Sequence, residues 1–215
     1  MKPNPNPMVR IKICGLTRAN DALEAARLGA DAIGLVFYPE SPRYVSLEQA
    51  RQIIAVLPPF VSVVALFVDA SLEKILQVIQ TLSINVVQLH GQESAEFCRQ
   101  LPCKVIKALR VSDAASISSW LQEYGSVDAV LLDTHVSGIP GGTGKTFDWS
   151  CIPEERAVPV IVAGGLNPEN VGDCIQQVRP YAVDVSGGVE SSPGIKSSAL
   201  MQSFVNEARQ ACHRQ

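Results

Sequence analysis

Residues 159–188 read PVIVAGGLNPENVGDCIQQVRPYAVDVSGG, and the reading of this stretch decides the fold. Two short apolar runs, PVIV and AVDV, flank a longer amphipathic segment, NPENVGDCIQQV. Each run leads into a glycine pair, Gly164-Gly165 and Gly187-Gly188. Near-continuous apolarity, rather than strict alternation, marks strands covered on both faces of a parallel sheet. The stretch is one strand–helix–strand repeat, and the same unit recurs upstream.

Working back toward the N-terminus, further apolar, β-branched runs are DAVLLDT from Asp128, KVIKALRV from Lys104, NVVQLH from Asn85, VSVVALFV from Val61, AIGLVFY from Ala32 and VRIKIC from Val9. Helical patterns separate them. NDALEAARLG stops at Gly29, a natural residue just past a helix end. SLEQARQIIAVLPP and SLEKILQVIQTL open with Ser46 and Ser71 as N-caps. SAEFCRQLP, SISSWLQEYG, NPENVGDCIQQV and the final SALMQSFVNEARQAC complete the set. FDWSCIPEERA is the weakest helical pattern, with Pro153 where a first turn accepts proline. Eight strands, each followed by a crossover, repeat every ~20–30 residues, the spacing of βα units. No linker or composition shift divides them. The expected fold is α/β, a single (β/α)8 barrel with a closed, eight-stranded parallel sheet over residues 8–215. Residues 1–7, a Pro/Asn-rich stretch, read as a loose tail.

Bulk composition narrows the function classes. The 215-residue chain is 47% hydrophobic and 18% charged, with net charge −3. No cluster of Lys and Arg suggests nucleic acid or an anionic membrane surface as partner. No apolar run reaches the length of a membrane span, and the N-terminus lacks a signal core. Six cysteines without CxxC spacing fit buried free thiols in a reducing cytoplasm. No His/Cys/Asp spacing suggests a metal site.

In such barrels the active site is built where the strands end. Those ends carry Cys14, the loop with Arg43, Asp69, His90, Arg110, Asp133, then Gly164-Gly165 and Ser186-Gly187-Gly188. Glycine turns after strands seven and eight are where these barrels bind phosphate on backbone N–H groups and a short extra helix. VESSPGIKS, after Gly188, is expected to supply that helix. GIPGGTGKT (138–146) resembles a nucleotide-binding P-loop, but that pattern needs a glycine at position 139, which is Ile139. A weak helical segment follows it, and the phosphate site already lies elsewhere. The loop reads instead as a long lid from which Lys145 reaches a ligand.

KICGLTR (12–18), FYPESPRYVS (37–46), VQLHGQE (87–93), LLDTHVSGIPGGTGKTFDW (131–149), VIVAGGLNPENV (160–171) and DVSGGVESSPGIKS (184–197) together resemble the phosphoribosylanthranilate isomerase family of tryptophan biosynthesis. The resemblance implies an Amadori rearrangement of a phosphorylated small molecule, N-(5-phosphoribosyl)anthranilate, without metal or cofactor. It implies Asp133 as general acid, Cys14 as general base and Arg43 as the holder of the anthranilate carboxylate. The family's phosphate site corresponds to the glycines after strands seven and eight. The family often reads Ser-Ser-Gly-Val-Glu where this chain has Ser186-Gly187-Gly188-Val189-Glu190, so one hydroxyl is missing.

The reaction needs two proton transfers, and a carboxyl works as an acid near neutrality when burial or a neighbouring anion raises its pKa. Asp133 follows AVLL at a strand end, beneath the expected lid. A cysteine base needs nearby cations or helix dipoles. Lys12 is expected on the opposite strand face from Cys14 and is given no part. His90, Gln88 and Arg110 are expected to line the site, while His135 and His213 have no suggested role. Oligomeric state is left as monomer or homodimer. Three other readings stay open: a histidine-pathway aminoaldose isomerase, a barrel that kept only phosphate binding, and a nucleotide hydrolase. The first is expected to carry aspartate where this chain has Cys14. The second is disfavoured by Cys14, Asp133 and Arg43 occurring together.

Overall fold

The structure, a computed structural model, describes residues 8–111, 114–134 and 148–213. Eight parallel strands close into a barrel. They are β1 (Arg10–Cys14), β2 (Ala32–Val36), β3 (Ser62–Phe67), β4 (Val86–Leu89), β5 (Lys104–Val111), β6 (Ala129–Thr134), β7 (Val160–Val162) and β8 (Ala182–Val185). Closure comes from the first and last strands, where Arg10, Ile11, Lys12 and Ile13 pair with Ala182, Val183, Asp184 and Val185. The expected architecture is therefore observed.

Among the described residues, seven helices link and cover the strands: α1 (Ala19–Arg27), α2 (Leu47–Ala55), α3 (Leu72–Leu82), α4 (Ala95–Cys98), α5 (Ala114–Glu123), α6 (Val171–Val178) and α7 (Ser198–His213). Their starts follow from local chemistry. The Ser46, Ser71 and Ser94 hydroxyls accept from backbone N–H groups three residues on, and Gln49 completes a capping box with Ser46. Gly29 takes φ +99°, the left-handed turn that ends the first helix.

Strand alternation divides the core in two. One cluster, including Ile11, Ile13, Ile33, Leu35, Phe67, Leu89, Val130 and Leu132, lies between barrel and helices. Inside the barrel sits a smaller one of Val64, Ile106, Ala108, Ala129, Leu131, Ile161, Ala163 and Ala182. Above it, Cys14, Val36 and Leu66 form the apolar part of the top layer. Layered filling of this kind makes the barrel a packed core rather than a pore.

Two local expectations are corrected. FDWSCIPEERA gives only a 3-10 turn, Trp149–Cys151, capped by the Asp148 side chain. Pro153 forces the residue before it out of the helical region, and Ile152 stands extended at φ −81°, ψ 118°. VESSPGIKS is a hairpin rather than a helix, pairing β9 (Glu190–Ser192) with β10 (Ile195–Lys196). Gly194 at φ +80° makes its turn, and the short 3-10 helix lies earlier, at Gly187–Val189.

Candidate active site

In β1, Ile11 and Ile13 face the helices, so Lys12 and Cys14 both point into the barrel. This overturns the expectation that Lys12 lies on the opposite face: residues two apart on a strand share one. Lys12 Nζ meets Asp184 Oδ1 at 2.9 Å, from strand positions in direct register, and the two residues are only 3% and 7% exposed. The Lys12 charge also acts on the Cys14 thiol, two residues on along the same inner face. The Cys14 sulfur leans over Gly34 of β2, where any Cβ would collide with it. Burial pushes the thiol pKa up, the Lys12 charge opposes that, Asp184 adds to it, and Lys196 opposes it.

Asp133 ends the inward series Ala129, Leu131, Asp133 of β6, and so shares the inner face and the carboxyl end with Cys14. His90 Nε2 stands 3.2 Å from Asp133 Oδ2, both side chains being less than one-fifth exposed. Behind it, Gln88 Nε2 approaches His90 Nδ1 at 3.2 Å. Gln88 is buried, and its Oε1 has no partner among the described residues. Arg110 stands in register with Asp133 and is exposed at the rim, close enough to act electrostatically on Tyr38. Lys145 and the GIPGGTGKT loop lie outside the described residues.

After β7, Gly164 and Gly165 take φ +77° and +69°, and the Asn170 amide ties the turn by donating to Gly165 O at 3.0 Å. After β8, Gly188 presses against the Leu166 carbonyl so closely that no side chain fits. The two glycine turns are thus stacked, with Ser186 and Gly187 beside them. Gly15, at φ +74°, likewise has its open side filled by Arg43 and the Ser186 hydroxyl.

Arg43 is held by a residue that sequence reasoning gave no role. Its Nε and Nη2 donate to Glu190 Oε1 and Oε2 at 2.8 and 2.7 Å. Lys196 Nζ donates to the same Glu190 Oε1 at 2.8 Å and to Ser186 O at 3.1 Å. Burial works to raise the Glu190 pKa, but the hydrogen bonds from Arg43 and Lys196 outweigh it and hold the carboxyl below its ordinary value. The Arg43 pKa rises through the same bond. The hairpin β9–β10 therefore docks the last repeat onto the loops of the first two. Thr17 Oγ1 donating to Gly194 O at 2.6 Å completes the contact.

A second buried pair supports the rim from outside the wall. Lys107 Nζ donates to Glu93 Oε2 at 2.8 Å and to Gly91 O at 2.7 Å, while Glu93 accepts from the Asp69 and Gly91 N–H groups. Asp69, at φ +49°, turns the loop after β3 and accepts from Gln92 N. Asp69 is thus engaged in loop structure. Among the described residues, no group of three or more His, Cys, Asp or Glu is arranged to hold a metal ion, and no helix is long and apolar enough to cross a membrane.

A closed barrel whose carboxyl-end mouth joins a thiol, a carboxyl, an arginine and two glycine turns defines a class: (β/α)8 enzymes acting on small anionic sugars by proton transfer. Comparison with known proteins sharpens this. The model of the family N-(5'phosphoribosyl)anthranilate (PRA) isomerase matches residues 11–207. A protein of Pseudomonas fluorescens (strain Pf0-1) named N-(5'-phosphoribosyl)anthranilate isomerase is 54% identical over 201 residues, 94% of this chain and 98% of its own length. Among solved structures, phosphoribosyl anthranilate isomerase from Thermotoga maritima is 47% identical with a TM-score of 0.89, covering 94% of this chain and all of that one. A phosphoribosyl anthranilate isomerase in complex with reduced 1-(o-carboxyphenylamino)-1-deoxyribulose 5-phosphate is 43% identical with a TM-score of 0.82, with the same coverage. The chain belongs to the N-(5'-phosphoribosyl)anthranilate isomerase family.

Proposed function

We propose that the protein converts N-(5-phosphoribosyl)anthranilate to 1-(2-carboxyphenylamino)-1-deoxyribulose 5-phosphate, an Amadori rearrangement in tryptophan biosynthesis. The observation that carries the mechanism is the placing of Cys14 and Asp133 on the inner face at one end of the barrel. Asp133 protonates the ribose ring oxygen, the ring opens to a Schiff base, and the Cys14 thiolate removes the proton from the adjacent carbon. The enolamine then tautomerises to the ketone. His90 lies against Asp133 and orients it, backed by Gln88, while Arg110 lines the rim.

The phosphate binds at the stacked turns of Gly164, Gly165, Ser186, Gly187 and Gly188, on backbone N–H groups. Gly187 brings no hydroxyl to the phosphate but leaves its own N–H. Arg43 takes the anthranilate carboxylate: Glu190 occupies Nε and Nη2, and Nη1 is the nitrogen left to reach the ligand. Proton transfers alone suffice for this chemistry, so no cofactor is required. A cytoplasmic monomer or homodimer completes the reading.

Loss of the anthranilate adduct's fluorescence on turnover tests the proposal. Cys14→Ala and Asp133→Ala should each lower kcat by about 10²-fold or more, the usual contribution of one acid–base group. Near-wild-type turnover in either variant removes that residue from the mechanism. Because burial raises the Cys14 pKa, the thiolate fraction grows as the pH rises, and kcat/KM should climb with pH on the alkaline side of neutrality. A profile that falls there contradicts a cysteine base.

A further inference from the structure

We propose that the buried Lys12–Asp184 pair governs the charge on Cys14, with Lys12 a positioning residue that favours the thiolate over the thiol. The inference rests on the base assignment above and deepens it. Lys12 is within one layer of the barrel mouth, almost wholly buried, and lies two residues before Cys14 on the same inward face. Its ammonium is bound by Asp184 Oδ1 at 2.9 Å, and its charge acts on the neighbouring Cys14 thiol. The barrel interior below is packed with Val, Ile, Leu and Ala side chains, so filling space does not call for an ion pair at this level. An ion pair buried without a purpose in chemistry or specificity gains little over apolar packing.

The charges around the sulfur explain the purpose. From its own strand the thiol faces Lys12, from β8 Asp184, from the β9–β10 hairpin Lys196 and from the loop after β2 Arg43, the last two sharing the Glu190 carboxylate. Gly34, Val36 and Leu66 of the remaining neighbours carry no charge. Three cations therefore stand against two carboxylates. Glu190 is shared by Arg43 and Lys196, and Asp184 is bound by Lys12. One positive charge is left over at the place where a thiolate forms. Losing the proton from Cys14 brings this buried cluster to neutrality, which offsets the burial that opposes ionisation.

The two members of the pair then act on the thiol with opposite sign, and this separates the proposal from a packing role. The measurement is the pH dependence of carbamidomethylation at Cys14, followed on its peptide by mass spectrometry in the free protein, together with the pH profile of kcat/KM. Lys12→Met is expected to slow alkylation near neutral pH by about tenfold, one pKa unit's worth, and to move the rise of kcat/KM to higher pH. Asp184→Asn is expected to speed alkylation and move the rise to lower pH. Lys12→Arg, which keeps the charge, is expected to restore most of the lost reactivity. Wild-type alkylation profiles in both variants, or shifts of the same sign, overturn the proposal. Should Lys12→Met fail to fold, the direction of the Asp184→Asn shift decides alone. Alkylation is read without turnover, so a failure of the cysteine-base assignment shows separately, as activity retained in Cys14→Ala.

Discussion

Two buried lysine–carboxylate pairs sit on opposite faces of the same barrel wall and are built differently. Lys107–Glu93, on the helix side, is fully provided for: Lys107 reaches the Leu89 and Gly91 carbonyls besides the carboxylate, and Glu93 accepts from two backbone N–H groups as well. Lys12–Asp184, on the inner side, gives its lysine one carboxylate oxygen, with the Cys14 thiol within reach of its charge. The first arrangement saturates a charge with fixed backbone dipoles and stitches the loops after β3 and β4 together. In the second, a charge is left partly uncommitted next to a group that changes its protonation. Saturation goes with structure, and incompleteness with chemistry.

Breaking each pair should expose that difference. Lys107→Met strands the Glu93 carboxylate in a nearly dry site and should cost about 3–5 kcal/mol of stability, read from urea unfolding. The pH at which kcat/KM rises should stay where it is in the wild type. A shift of that pH in Lys107→Met would erase the distinction drawn between the two faces. A third pair lies between them in kind. Glu190→Gln keeps the shape of the Arg43 anchor but not its charge, and should raise KM about tenfold while changing kcat less, since truncating a charge-assisted bond costs on the order of 1.5–3 kcal/mol. An unchanged KM would mean that Glu190 does not position Arg43 for the ligand. The smallest effect belongs to the solvent-exposed Lys104–Asp128 pair at the other end of β5. Lys104→Ala should leave the urea midpoint within error of wild type, because water and salt screen such contacts.

Much of this was legible in the sequence. The barrel was, because strands covered on both faces are written as apolar runs, and KVIKALRV matches β5 residue for residue. Serine caps and the positive-φ Gly29 marked helix ends, since both are local effects. Strand ends put Cys14, Asp133 and His90 at one mouth for the same reason. What escaped was long-range or depended on phase. The Arg43–Glu190 contact spans 147 residues, and nothing near either residue announces the other. Lys12 was misread although the signal was present: the period-two rule places it beside Cys14 once Ile11 and Ile13 are taken as outward. In FDWSCIPEERA the proline rule was applied at the wrong position. In VESSPGIKS the Pro-Gly pair marks a hairpin turn more directly than a helix.

The seam where β1 meets β8 has a consequence for how the enzyme comes into being. Cys14 is synthesised roughly 170–180 residues ahead of Asp184, Glu190 and Lys196. A nascent chain halted before the last strand has Cys14, Lys12 and Arg43 but lacks Asp184, Glu190, Lys196 and the second glycine turn. The ion pairs at the mouth therefore form only once the last strand and its hairpin are in place.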